Sequence, residues 1–207
     1  VKDAFKANDY QTVTDRIISM LYKIDDVAYR NQHSVGVRLE DLKNYPEETL
    51  GALTKWMDIE VQESLYTMTA QGKRWWGDRS SPDLKDDNIT PFNKASIQRK
   101  IGCVFSERDR FILQTLFYPF SAQFDYAEMN VKQFKKDLSN IEPLIEQMFD
   151  FEKSIAENTQ VDPKNFMNSG SYRYFRTCMA ERWETLSEFN TYPDMLKPLV
   201  ITGIKDD

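Results

Sequence analysis

Apolar side chains recur at intervals of three and four from Asp9 to Arg30, where Val13, Ile17, Leu21, Ile24, Val27 and Ala28 share one helical face. The spacing predicts a helix there. Val35, Val37 and Leu39 then alternate with Gly36 and Arg38, the two-residue period of a strand, which reads as a buried strand running into the acidic turn at Glu40 and Asp41. Pro46 is placed at the first position of a following helix whose buried stripe is expected to be Leu50, Leu53, Trp56 and Met57.

From Tyr66 to Ala95 the periodicity lapses and glycine, proline, serine and aspartate accumulate, the composition of a long loop that covers a site. Ser106 followed by Asp109 predicts a helix N-cap, with Ile112, Leu113, Leu116, Phe117 and Phe120 as the apolar side. Val131, Phe134, Leu138, Ile141, Ile145 and Met148 continue the three-four alternation, and Pro143 inside it predicts a kink or restart near Ser139 and Asn140. Residues Asn158 to Ser171 read as a linker. A last helix runs from Tyr172 to Phe189 on Phe175, Met179, Trp183 and Leu186.

Composition narrows the function classes. The chain of 207 residues is long enough to bury a core, and 41% hydrophobic residues argue against disorder. A net charge of −6 argues against a general nucleic-acid binder, so an anion site has to be local. No apolar run is long enough for a membrane span, and no signal peptide opens the chain, which reads as cytoplasmic, with the Golgi lumen as the alternative for a longer protein. Cys103 and Cys178 sit in apolar surroundings, and no cysteine-histidine spacing offers a zinc site. The start at Val1 suggests a piece of something longer or a processed product.

Ser96, Arg99, Lys100 and Gly102 offer a hydroxyl, a guanidinium, an ammonium and a backbone amide within seven residues, a set able to hold a phosphate or sulfate. Both basic side chains reach one ligand only if the backbone there is a loop, since on a strand they face opposite ways. The plainer reading is a solvated Arg-Lys pair. Glu40 and Asp41 suit catalysis just past a strand, but more simply cap the turn or pair with an arginine. Trp75 and Trp76 offer an aromatic wall for a flat ligand, or loop anchors on the core. His33, the single histidine, reads as a base or, more plainly, a boundary residue. The stripe from Val131 to Met148 is a seam for a possible homodimer or, more simply, packs on the chain's own core.

The unit VRLEDLKNYPEETLGALTKWMDI, Val37 to Ile59, resembles a segment of the nucleotide-dependent sulfotransferases, in which a strand ends in an Arg-x-Glu-Asp-Leu turn before a Pro-Glu helix. SIQRKIG resembles that family's Arg-Lys-Gly element, interrupted here by Ile101, and Phe105 to Tyr126 resembles the helix that closes its domain. The likeness covers Val35 to Tyr126. It implies a mostly α chain within a P-loop-like α/β fold: residues 1–126 form the C-terminal part of a sulfotransferase domain and 127–207 a helical extension.

By the same resemblance, a sulfonate group passes from 3′-phosphoadenosine 5′-phosphosulfate to a hydroxyl or amine acceptor, with no metal. Ser96, Arg99, Lys100 and Gly102 would contact the donor's 3′-phosphate. The family's 5′-phosphosulfate loop and catalytic base have no counterpart in residues 1–34, so the catalytic residues are unassigned and the N-terminal half of the enzyme is the expected partner. The chain alone is expected to be inactive. The rival readings are a non-catalytic helical interaction module and a nucleotide or sugar-phosphate binder that performs no transfer.

Overall fold

The structure, a computed structural model, describes residues 2–24, 33–67, 69–70, 73–74, 92, 94, 97, 104–188 and 196–202. In chain order the helices are α1 (Lys2–Lys6), α2 (Tyr10–Ile24), α3 (Leu39–Asn44), α4 (Pro46–Met57), α5 (Glu107–Leu116), α6 (Tyr118–Gln123), α7 (Val131–Ile145), α8 (Asp150–Asn158), α9 (Pro163–Met167) and α10 (Gly170–Glu188). A 3-10 turn spans Glu63–Tyr66, and β1 (Thr69–Ala70) pairs antiparallel with β2 (Lys73–Arg74). The chain is therefore mostly helical. Among the described residues, strand pairing is limited to that hairpin and one parallel bridge between Gly36 and Pro198.

Two compact units share the chain. Unit one comprises Val1–Ser34 and Lys100–Lys197, and unit two Val35–Arg99 and Pro198–Asp207. The boundary expected after Tyr126 falls between α6 and α7, inside unit one.

Unit one closes its own core. Val13, Ile17 and Leu21 of α2, Ile112 and Leu116 of α5, Phe134, Leu138, Ile141 and Ile145 of α7, and Phe175 and Met179 of α10 form one buried cluster. Helix α7 packs on α5 and α10, and α10 also meets α2 and α5. The Val131-to-Met148 stripe thus packs on the chain's own core, its first and last members at the margins. Each fully buried aliphatic or aromatic side chain contributes about 1.5–3 kcal/mol relative to exposure. The Trp183 indole N–H donates to the Leu138 carbonyl at 2.8 Å and ties α10 to α7.

Capping sets the helix starts. Ser106 accepts from the Asp109 amide at 3.1 Å, Asn130 from the Gln133 amide at 3.0 Å, and Asp162 from the Lys164 amide at 2.9 Å, each filling an orphan donor of a first turn. The Asp162-Pro163 start places α9 inside the segment expected to be a linker, with Phe166 buried beneath it. Helix α7 runs unbroken through Pro143. The carbonyl that this proline leaves without a donor belongs to Ser139, whose side chain is exposed, so α7 continues where a restart was expected.

Four helix ends share one device. Asn8, Asp58, Asp125 and Gln160 adopt positive φ of 54° to 57°. In each case the next residue's amide reaches back five positions: Asp9 to Ala4, Ile59 to Thr54, Tyr126 to Ser121 and Val161 to Ala156, at 2.7–3.0 Å. These are Schellman closures built without glycine. Gln160→Gly is expected to raise stability by roughly 0.5–1 kcal/mol, the left-handed penalty less the freedom glycine adds to the unfolded chain. The midpoint of urea unfolding reads the gain.

Unit two departs from its expected pattern at two places. Gly36 is buried, yet Val37 and Leu39 are exposed, so the expected buried strand is reduced to the Gly36–Pro198 bridge, where the Leu199 amide donates to the Gly36 carbonyl at 2.7 Å. Leu39 instead opens α3, whose first turn holds Glu40 and Asp41, carboxylates that favour a helix N-terminus. In α4, Pro46 takes the first turn as expected, but the buried residues are Thr49, Leu50 and Thr54, while Trp56 is 43% and Met57 51% exposed. The apolar stripe was drawn too far round the helix.

Candidate functional site

Ser96, Arg99, Lys100 and Gly102 lie outside the described residues, as do Trp75, Trp76 and Cys103. Around Ser96 the chain is described at Lys94 and Ile97. The Ile97 amide donates to the Lys94 carbonyl at 3.1 Å, a tight turn, with Lys94 exposed and Ile97 half-buried.

Asp41 makes the arginine pairing expected on the plainer reading, and Glu40 shares its helical turn. Asp41 lies 3.6 Å from the Arg38 guanidinium, and its carbonyl accepts the Tyr45 amide at 2.7 Å where α3 hands over to α4. His33 is exposed at a bend. Cys178 is buried and unbridged, with the Tyr22 hydroxyl 3.3 Å from its sulfur and 2.9 Å from a Glu181 oxygen.

The densest polar cluster of unit one is buried among aromatic rings. Glu152 of α8 is fully buried, and one of its oxygens accepts from the Tyr10 hydroxyl at 2.8 Å and meets the Arg176 guanidinium at 2.5 Å. The other oxygen reaches back to the Phe149 amide at 2.7 Å and closes the first turn of α8. Arg176 of α10 donates to the Ile145 and Gln147 carbonyls at 2.7 and 2.9 Å, which serves the open C-terminus of α7. Its guanidinium carbon lies 4.5 Å from the ring centre of Phe149, 4.8 Å from Tyr172 and 4.9 Å from Phe175. Burial pushes the Glu152 carboxyl above its ordinary range, while Arg176 and the two other donors pull it back. Burial also raises the Tyr10 phenol.

A second buried acid serves the same helix start. Both Asp109 oxygens accept backbone amides at 2.9 Å, one from Asp150 and one from Phe151. Ser106 joins in, capping α5 and donating to Asp150 at 2.6 Å. Burial raises the Asp109 carboxyl, and Lys153 and Ser106 hold Asp150 low. Both clusters bind their groups to backbone and to each other, which is the pattern of a scaffold.

Concavities of ligand size occur elsewhere on unit one. One, of about 480 Å³, opens between α5, α6 and α7 and is lined by Phe111, Gln114, Tyr118, Tyr126, Phe134 and Asp137 among others. Another, of about 450 Å³, runs along α10 beside Arg173, Thr177, Glu181 and Glu184, a mixture of charges that selects neither sign of ligand.

No family model, curated protein or solved structure matches this chain. Among the described residues no group of three acidic, histidine or cysteine side chains is placed to hold a metal ion, and no helix is long and apolar enough to cross a membrane.

Sequence reasoning missed the Glu152–Arg176 and Asp109 clusters, because a charged residue inside a helical pattern reads as its solvated face. The bond from the Phe149 amide to Glu152 is one half of a capping box, but Phe149 has no side-chain acceptor, so the Ser/Thr-x-x-Glu signature that would have revealed it is absent. The aromatic cavity was missed because Phe111, Tyr118, Tyr126 and Phe134 are brought together by three separate helices and a loop.

Proposed function

We propose that this chain is the C-terminal portion of a sulfotransferase that uses 3′-phosphoadenosine 5′-phosphosulfate, with Ser96, Arg99, Lys100 and Gly102 cradling the donor's 3′-phosphate. The observation that supports the reading is the layout of unit two. A parallel pairing at Gly36 leads through α3, which holds Glu40 and Asp41 in its first turn, into the proline-started α4, so the Pro-Glu helix that the resemblance of Val37 to Ile59 implies has its counterpart while the strand before it is reduced to one bridge.

In the complete enzyme the reaction is an in-line displacement at sulfur. The acceptor's oxygen or nitrogen forms the new bond to sulfur, the bond from sulfur to the donor's phosphate oxygen breaks, and a base takes the acceptor's proton. The α/β sheet, the base and the groups that receive the 5′-phosphate belong, on this reading, to the N-terminal half. The part played by residues 96–102 is to bind and orient the nucleotide.

Thermal unfolding of the full chain with adenosine 3′,5′-bisphosphate tests this. A ligand that binds the native state at a hundredfold excess over its dissociation constant adds about 2.7 kcal/mol of stability. The expected result is an upward shift that adenosine 5′-monophosphate does not produce and that the double variant Arg99→Ala, Lys100→Ala abolishes. Equal shifts with both nucleotides, or none with either, would overturn the assignment.

The core of unit one favours a second reading, a non-catalytic helical interaction module. Its helices bury their apolar faces on one another and need no sheet for that purpose. Deleting residues 127–207 is an unsuitable test, because α7 and α10 carry much of that core. Concentration-dependent sedimentation of the intact chain, combined with indifference to the bisphosphate, is the outcome that would establish it.

A further inference from the structure

The cavity between α5, α6 and α7 has a composition with a specific chemical meaning. Four aromatic side chains, Phe111, Tyr118, Tyr126 and Phe134, line it together with one carboxylate, Asp137, and the amide of Gln114, and no lysine or arginine is among its described lining residues. Its volume of about 480 Å³ is that of a small organic ligand. Aromatic faces attract cations through the ring quadrupole, and a carboxylate adds direct Coulomb attraction.

The walls are held in place. The Tyr118 ring stacks on Phe134 with centroids 4.9 Å apart and planes 17° from parallel. The Tyr118 hydroxyl donates to the Glu128 carbonyl and accepts the Asn130 amide, which pins the loop between α6 and α7. That loop carries Tyr126, whose amide closes α6 at Ser121 with a 2.7 Å bond. Asp137 is oriented from its own helix by the Gln133 amide at 2.8 Å. Lys132, Lys135 and Lys136 of the same helix are exposed and do not line the cavity.

We propose that this cavity binds a small alkylated ammonium ion, tertiary or quaternary, among the aromatic rings and against Asp137. Alkyl groups on nitrogen spread the charge and lower the cost of leaving water, so aromatic walls favour such an ion over a primary ammonium. The proposal is independent of the nucleotide site, since it uses none of residues 96–102.

Isothermal titration of the full chain with choline, and with its uncharged isostere 3,3-dimethylbutan-1-ol, isolates the charge from the shape. Choline is expected to bind about tenfold or more tightly than the isostere, the upper part of the range for a cation over aromatic rings. Asp137→Asn is expected to weaken choline and leave the isostere unchanged. Tyr126→Leu, at a half-exposed rim position, is expected to weaken choline with no change in far-UV circular dichroism. Equal binding of the two compounds, or no binding of choline at high millimolar concentration, would overturn the proposal. A trimethyllysine peptide that binds more than tenfold tighter than choline would place the ammonium on a protein chain and overturn the assignment to a small molecule.

Discussion

Arg176→Ala is expected to destabilise unit one by about 3–5 kcal/mol, the cost of leaving a buried carboxylate without its counter-ion. The effect is large because one side chain serves several needs. It balances the Glu152 charge, supplies donors to the Ile145 and Gln147 carbonyls and fills the space between Phe149, Tyr172 and Phe175. Lysine is a poor substitute, since a compact ammonium offers no planar face to the rings and no fork for two carbonyls. The comparison that separates charge from packing is Arg176→Met combined with Glu152→Leu, which removes both charges at nearly constant volume and is expected to recover much of the loss. Urea unfolding followed by far-UV circular dichroism gives both numbers. A loss under about 1 kcal/mol for Arg176→Ala would mean that the pair behaves like an exposed one.

Asp109→Ala is expected to cost about 2–6 kcal/mol, because the Asp150 and Phe151 amides lose their only described acceptors and each buried orphan donor costs roughly 1–3 kcal/mol. The pH dependence carries a second signature. Burial raises the Asp109 carboxyl in the folded state, so its contribution is fully present below the unfolded value near 3.9 and is lost as pH rises through the higher folded one. Glu152, also raised, has the same sign. Asp109 and Glu152 thus subtract stability as pH rises through their folded values, Asp150 and Asp9, held low, add it over the acid range, and Asp109→Ala is expected to shift the wild-type slope in the positive direction by removing one of the two falling contributions. An unchanged slope would show that the Asp109 carboxyl titrates alike in both states.

Helix existence was legible wherever the apolar period was long. Val13, Ile17 and Leu21, then Phe134, Leu138, Ile141 and Ile145, then Phe175 and Met179 all mark faces that the fold buries. Short runs misled. Three alternating residues at 35, 37 and 39 fit a strand, but the acidic pair that follows them stabilises a helix start at Leu39. Trp56 and Met57 fit the period of α4 and are exposed all the same, since periodicity marks an apolar face without saying what covers it. The buried ions were invisible for a related reason: what permits Arg176 and Glu152 in a core is an exact set of acceptors and donors drawn from α7, α8 and the Tyr10 side chain, and that set exists only once the helices have packed. The nucleotide cradle is different in kind. Its residues were named from sequence and lie outside those the structure describes.

The bond between the Trp183 indole and the Leu138 carbonyl has an optical consequence. The other three tryptophans of the chain, Trp56, Trp75 and Trp76, belong to unit two, so Trp183 is the sole indole of unit one. Emission from a variant with those three changed to phenylalanine therefore reports the loosening of the helical body alone, as a colour change to which the rest of the chain adds nothing.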